Sequence, residues 1–290
     1  MNDLPEPIAV LAEAERSVRI HGRAVLCQVV RADGSTPGKL GWKLLVRPDG
    51  SAFGNLGGGA VEAMVAADAA GKLADGEPSE VRRYYLTEQA VRGEATGMAC
   101  GGMMEVLLEV LTAPPLLVVC GGGPVGQAVA RAGDLAGFDC LVADDREGFR
   151  DPRRFPAGTR FAAVSRTYEE DFLAPVAGRE LYVTIVSRCW QTDAAALAAV
   201  LRQRPARLAY LGLMGSRRKI ARVQREVLAQ GLSLGGVALH APIGLPIGGD
   251  TPGEIAISIL AELLQVRHRL AVPEGQPSQE PESETARRRP

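Results

Sequence analysis

The sequence predicts an α/β protein in which an N-terminal mixed α/β domain precedes a doubly wound parallel sheet. Three observations carry this. An apolar run, Leu116–Cys120, leads into Gly121-x-Gly123-x-x-Gly126 and then into an alanine-rich helical segment. A second apolar run ends at Asp144, eighteen residues past the last of those glycines. The unit starts in mid-chain, so a separate body of structure precedes it. Strand, glycine turn, helix and acid-tipped strand together make a Rossmann-like nucleotide-binding βαβ unit. Gly121 permits the tight turn, Gly123 lets backbone approach a phosphate, and Gly126 lets helix and strand pack closely. The helix N-terminus offers free N–H groups to an anion. Asp144 is placed for ribose hydroxyls, and Arg146 for an extra phosphate. The competing reading is a scaffold of the same fold that binds no nucleotide.

The elements follow in order. Residues 6–20 alternate apolar and charged positions at helical spacing, and Ala24–Val30 reads as a buried strand. Two strands, Lys43–Arg47 and Ser51–Gly54, flank the turn signal Pro48-Asp49-Gly50. Gly57-Gly58-Gly59 precedes a helix over about Ala60–Leu73, and Val81–Leu86 and Met103–Leu111 are strands. The second alternates, with Met104, Val106, Leu108 and Val110 on one face. Pro114-Pro115 is a stiff linker, so the first domain spans 1–113 and the second 114–272. Within the second, strands fall at Phe161–Val164, Leu181–Val186 and Arg207–Leu213, with helices near 192–203, 216–230 and 252–270. Residues 273–290 are Pro/Glu-rich and read as a disordered tail.

Bulk properties narrow the function classes. The 290 residues include 33 basic and 34 acidic ones, a net charge of -1 that offers no nucleic-acid footprint. No apolar stretch approaches the ~18 residues of a membrane span, and Met1–Pro7 lacks the basic start and apolar core of a secretory signal. Five cysteines at 27, 100, 120, 140 and 189 form no CxxC pair, which points to a cytoplasmic protein with reduced thiols.

Five constellations bear on chemistry. The first is the glycine unit above. The second, Gly57-Gly58-Gly59 at a helix start, either exposes N–H groups to a ligand or makes a turn needing positive φ. The third places Cys100 among Gly97, Gly101 and Gly102, where backbone dipoles favour a thiolate able to ligate a soft metal, carry sulfur or attack an electrophile. On chemistry alone a packed thiol is the favoured reading, and the remaining four cysteines read as structural. The fourth, Gly215-Ser216-Arg217-Arg218-Lys219, follows a strand and opens a helix. Ser216 caps that helix, and the three cations mark either an anion site or a solvated first turn. The fifth is a Gly/Pro-rich loop from His240 to Glu254, closed by Thr251, Pro252 and Glu254 as a capping box. His240 is either an acid–base group or a hydrogen-bonded structural residue.

Taken together, these segments resemble the xanthine dehydrogenase accessory (XdhC/CoxI) family. The matching elements are Gly34-Ser35-Thr36-Pro37, Asp49-Gly50, Gly57-Gly58-Gly59-x-x-Glu62 and Gly97-Met98-x-Cys100-Gly101-Gly102. Further along they are Gly121-Gly122-Gly123-x-x-Gly126, Asp144-x-Arg146, Gly212-x-x-Gly215-Ser216-Arg217, and His240-Ala241-Pro242-Ile243-Gly244 through Thr251-Pro252. The resemblance spans about residues 8–270. It implies a chaperone that binds molybdenum cofactor (molybdopterin), helps to sulfurate it and loads it into a molybdenum hydroxylase such as xanthine dehydrogenase. Cys100 is then the thiol near molybdenum or its incoming sulfur. The cofactor's phosphate or nucleotide end falls to Ser35, Gly57, Gly58, Gly59, Gly121, Gly123, Gly126, Asp144, Arg146, Ser216, Arg217 and His240. The implied partners are the molybdenum hydroxylase itself and a cysteine desulfurase, with a homodimer left open and no nucleic acid or membrane expected. Closure of two domains on the labile pterin is a rationale for their pairing.

The chain departs from the family pattern at several loops. Gly38 stands where Arg is usual after the first-loop proline, Pro246 where Asp is common and Gly253 where Glu is common. Ser187-Arg188-Cys189-Trp190-x-x-Asp193 replaces a segment that usually carries histidine, so Trp190 offers a stacking face instead. The reading from a different class is an NAD(P)-dependent oxidoreductase acting on a small molecule. Asp144 would then sit on the ribose, with His240 its one obvious proton-transfer residue. A protein-binding scaffold is the third.

Overall fold

Two six-stranded sheets follow one another along the chain. The computed structural model describes residues 7–76, 78–86, 94–95, 101–176 and 178–268, so the expectations for Cys100 and for the 273–290 tail lie outside the described residues.

The first sheet takes α1 (Pro7–His21), β1 (Arg23–Asp33), β2 (Lys43–Val46), β3 (Ala52–Gly54), α2 (Gly59–Asp75), β4 (Glu80–Tyr85), β5 (Glu94–Ala95) and β6 (Met103–Thr112). Its strand order is β3-β2-β1-β6-β4-β5, antiparallel except for the β4–β5 pair. Period-2 alternation in β1 decides what covers each face. Val25, Cys27 and Val29 pack with Val61, Val65 and Ala69 of α2, whereas Ala24 and Leu26 pack with Val10 and Ala14 of α1. The β1–β6 register slips between Val29 and Arg31. α2 ends where Gly76, in the left-handed region, donates its N–H to the Lys72 carbonyl.

The second sheet is parallel throughout. It comprises β7 (Leu116–Cys120), α3 (Pro124–Leu135), β8 (Asp139–Asp144), β9 (Arg160–Ala163), β10 (Leu181–Ile185), α4 (Trp190–Gln203), β11 (Leu208–Leu213), α5 (Arg217–Ala229), β12 (Leu239–His240) and α6 (Pro252–Arg267). The order is β12-β11-β10-β7-β8-β9. β7 and β10 are buried along their whole length, because helices cover both faces. Leu116, Val118, Leu181 and Val183 pack toward α4 and α5, while Leu117, Val119 and Tyr182 pack toward α3 and α6. The expected loop from His240 is corrected at its first residue. Gly212 on β11 pairs in register with His240, which closes a two-residue edge strand too short to show alternation.

The halves meet at one end of the second sheet. Gly22, at the α1–β1 turn, lies against Gly178: a Cβ on Gly22 would sit 1.9 Å from the Gly178 carbonyl oxygen, and one on Gly178 2.3 Å from that of His21. Arg179, almost fully buried, bonds Asp139 at 2.8 Å and the Pro114 carbonyl. These residues stand at the N-terminal ends of β7, β8 and β10. That is the edge opposite the one where ligands bind in parallel α/β sheets. This junction therefore lies at the edge of the sheet away from that crevice.

Candidate functional site: the crevice at the switch point

In chain order, the strands of the second sheet reverse direction of addition between β7 and β10, and sheets of this kind take ligands in the crevice beyond the C-terminal ends of such a pair. Register places Cys120 between Ala143 of β8 and Ile185 of β10. The glycine turn leaves from there. A Cβ on Gly121 would lie 2.9 Å from Ser187 Cα, one on Gly122 2.1 Å from the Phe149 carbonyl oxygen, and one on Gly126 1.9 Å from the Gly121 carbonyl oxygen. Gly121 also has φ 117°. Gly123 differs. It is the N-cap of α3, and a Cβ there would meet nothing within 4 Å. The three fingerprint glycines thus divide into two that close the backbone on itself and one that faces open space.

Asp144 and Arg146 come together, but on each other. Asp144 is 2% exposed, and its carboxylate accepts from Gly122 N–H at 2.7 Å, Arg146 N–H at 2.9 Å and the Arg146 guanidinium at 2.9 Å on both oxygens. Burial pushes its pKa up, but these donors outweigh burial and hold it below the usual carboxylate range. Arg146 in turn lies 3.5 Å over the Phe149 ring. Beside them, Arg188 from the β10 end reaches Asp145 at the β8 end with two bonds of 3.1 and 2.9 Å.

Behind the crevice lies a buried network outside the expected site residues. Asp193 is 0% exposed and is bonded by Ser187 Oγ and paired with Lys219 Nζ. Burial raises its pKa against the pull of those partners. Ser216 caps α5 as expected, accepting the Lys219 N–H at 3.3 Å, and Arg217 is the helix's first residue. Of the cation run, Lys219 is directed inward: its Nζ also donates to the Met214 carbonyl. Asp193 was visible within the Ser187–Asp193 motif and Lys219 within the cation run. Their pairing joins α4 to α5 and leaves no local sequence signal.

Cys189 is placed differently from the other described thiols. Cys27, Cys120 and Cys140 are buried in strands, and desolvation pushes each to about 12. Cys189 is half-buried at the N-cap of α4, 3.2 Å from Thr192 Oγ1. Burial works against ionisation, but Thr192, Arg166 and the Gln191 backbone hold its pKa below the ordinary thiol value. Next to it, Trp190 carries the Arg222 guanidinium 3.8 Å over its ring, so one stacking face is already occupied. The indole also lines a cavity of about 360 Å³ with Thr167, Glu169 and Gln191.

His240 stands at the far edge, with two strands between it and β7. Its Nδ1 lies 3.0 Å from Glu262 Oε1, and its ring stacks on Tyr210 at 4.4 Å. Glu262 also accepts from the Tyr210 hydroxyl and from Gly244 N–H at 2.7 Å. Burial raises the Glu262 pKa, but His240 and the other donors bring it below the usual value.

The remaining expected residues gather at the first sheet. Gly57, Gly58 and Gly59 have φ of 112°, 74° and 68°. Glu62 accepts N–H bonds from Leu56 at 2.9 Å and Gly58 at 3.1 Å, and Asn55 Oδ1 accepts from Gly57. These donors are committed within the chain, which is the geometry of the turn reading. Exposed Ser35 lies on the loop packed over Gly102, where a Cβ would sit 2.3 Å from the Ser35 carbonyl oxygen. Gly38 is equally confined: a Cβ there would be 2.3 Å from the Leu56 carbonyl oxygen. Among the described residues, no group of three His, Cys, Asp or Glu side chains is placed to hold a metal ion. No described helix is long and apolar enough to cross a membrane.

Comparison with known proteins accords with this architecture. Residues 117–263 match the family described as the XdhC Rossmann domain, and residues 18–85 match the XdhC and CoxI family. Over 249 residues the chain is 37% identical to the uncharacterized protein YqeB of Escherichia coli, covering 84% of this chain and 43% of that one. Over 168 residues it is 26% identical to a Bacillus subtilis protein described as a probable xanthine dehydrogenase subunit, covering 58% and 47%. The chain thus spans less than half the length of either relative. A solved structure described as a xanthine dehydrogenase from Bacillus halodurans aligns over 90% of this chain and 96% of its own, with 19% identity and a TM-score of 0.45.

Proposed function

We propose a function from this premise: the chain belongs to the XdhC and CoxI family, whose two segments match in order along it. On that basis it is an accessory factor for a molybdenum hydroxylase such as xanthine dehydrogenase. It binds molybdenum cofactor, supports its sulfuration and delivers it to the hydroxylase, with a cysteine desulfurase as sulfur donor. The name of the Bacillus subtilis relative supports the hydroxylase connection. The observation that carries the ligand reading is the open Gly123 N-cap at the switch point. There α3 begins without a side-chain cap, and a Cβ on Gly123 would meet nothing within 4 Å, which suits an anion at the helix's first N–H groups. A phosphate end fits that position. For the metal end, the described residues offer no ligand set, and Cys100 lies outside them.

The nicotinamide reading is less well supported. Asp144 is fully engaged by Gly122 and Arg146, so a ribose would have to displace a bidentate guanidinium from it. His240 is tied to Glu262 at the sheet edge, away from the β7–β10 crevice. The test is anaerobic purification from a cofactor-producing host, followed by measurement of molybdenum and oxidised pterin per chain. Near-stoichiometric amounts of both are expected. Neither above background, together with a thermal shift by NAD(P), would overturn the accessory reading in favour of the oxidoreductase.

A further inference from the structure

We propose that Arg188 is the phosphate-binding side chain of the crevice, held in reserve by Asp145 until a phosphate ester enters. The proposal rests on the reading of the crevice as a phosphate site and names the residue that selects for it. β8, β7 and β10 are adjacent in that order, with Ala143, Cys120 and Ile185 level in register. Asp145 lies two residues beyond Ala143 and Arg188 three beyond Ile185. Their bidentate bond therefore spans the end of β7, where Gly121–Gly123 turn away toward α3.

Charge explains why the pair suits an exchange. The rim carries Asp144, Asp145, Arg146 and Arg188, and the four cancel. A phosphate needs a cation there and is repelled by two carboxylates. Arg146 is committed to Asp144, which is buried and also holds Gly122. Arg188 can exchange: its side chain is about a third exposed and, among the described residues, is paired with no carboxylate but Asp145. The Asp145 pair is part-exposed and so partly screened by solvent, whereas a phosphate offers the same guanidinium a bidentate contact to a group of higher charge. Asp145 does not lose all compensation when Arg188 leaves, since Arg146 Nε already lies 3.9 Å from its carboxylate. The ligand class is an organic phosphate or diphosphate, nucleotide or pterin, in preference to its unphosphorylated parent.

The test is calorimetric titration of the full chain with ADP, and with adenosine as the phosphate-free control. Wild type, Asp145→Asn, Arg188→Gln and Arg188→Lys are compared at low and moderate salt, after melting curves establish that each is folded. Arg188→Gln is expected to weaken ADP binding at least about tenfold, the loss of a hydrogen bond to a charged group. Arg188→Lys recovers part of that loss. Asp145→Asn is expected to tighten ADP binding at least about twofold, because the competing carboxylate is gone. Adenosine binding is the same in all four. If ADP binds wild type and the variants alike, the role of Arg188 is overturned and the phosphate crevice stands. If ADP fails to bind wild type, the phosphate reading falls and this proposal with it.

Discussion

Cys189 is the described thiol that the structure sets up to react, and its reactivity traces to a few contacts. The three strand cysteines are pushed to about 12 by burial, roughly three units above an ordinary thiol at 9.0. Near neutral pH their thiolate fraction is lower than that of an ordinary thiol by a factor of about 1000, before steric shielding is counted. Cys189 lies on the other side of the ordinary value. Alkylation by iodoacetamide at pH 7, followed by peptide mass mapping, should therefore modify Cys189 at least about 30-fold faster than Cys27, Cys120 or Cys140, since the lower nucleophilicity of a lower-pKa thiolate offsets part of the difference in thiolate fraction. The perturbation is Thr192→Val, which removes the hydroxyl 3.2 Å from Sγ while keeping the side chain's shape and the backbone N–H. A hydrogen bond to a charged group of about 1.4 kcal/mol corresponds to one pKa unit, so the rate at pH 7 should fall by up to about tenfold. The pH at which the rate reaches half its plateau should rise with it. Equal modification of Cys189 and Cys140, or a pH profile that Thr192→Val leaves in place, would refute the reasoning.

Two other consequences are open to measurement. Gly38→Arg, which introduces the residue usual in the family, should destabilise the chain by about 1–3 kcal/mol, read as a lower midpoint in urea, because its Cβ meets the Leu56 carbonyl oxygen at 2.3 Å. Asp193→Ala should cost about 3 kcal/mol in the same assay, the lower end for breaking a buried pair, since Lys219 keeps a fifth of its side chain exposed and can be partly solvated. Unchanged midpoints would mean that the loop at Gly38 yields, or that the Asp193–Lys219 pair contributes nothing net.

Much of the fold was legible because its signals are local. Full burial of β7 and β10 shows as continuous apolar runs, and one-sided packing of β6 shows as alternation. The Thr251–Glu254 capping box formed as its residue types indicate. β12 was not legible, since two residues carry no period, and its existence depends on pairing with β11. Cys189 was read as structural because the nearby Gln191 and Thr192 bear on the thiol only once α4 forms. Its character comes partly from Arg166, which the chain brings in from before β10. The Arg188–Asp145 bond, 43 positions apart, is likewise a product of strand order.

The two glycine clusters show why a motif identifies a backbone shape more securely than a ligand. Both precede a helix, and in sequence both invite an anion. At Gly57–Gly59 the chain supplies that anion itself: Glu62, from the first turn of α2, takes the Leu56 and Gly58 N–H groups, and Asn55 takes that of Gly57. The N–H groups leading into the helix are satisfied internally, its N-cap Gly58 has no side-chain cap, and the positive φ values are what demand glycine there. At Gly121–Gly126 the corresponding carboxylate, Asp144, comes from the next strand and reaches only Gly122. Gly123 is left at an open N-cap with φ −67°, an angle any residue adopts, so neither backbone strain nor crowding within the chain calls for a glycine there. Gly123 is thus the fingerprint glycine that neither its own φ nor a neighbouring atom requires, and that distinction needs coordinates to draw.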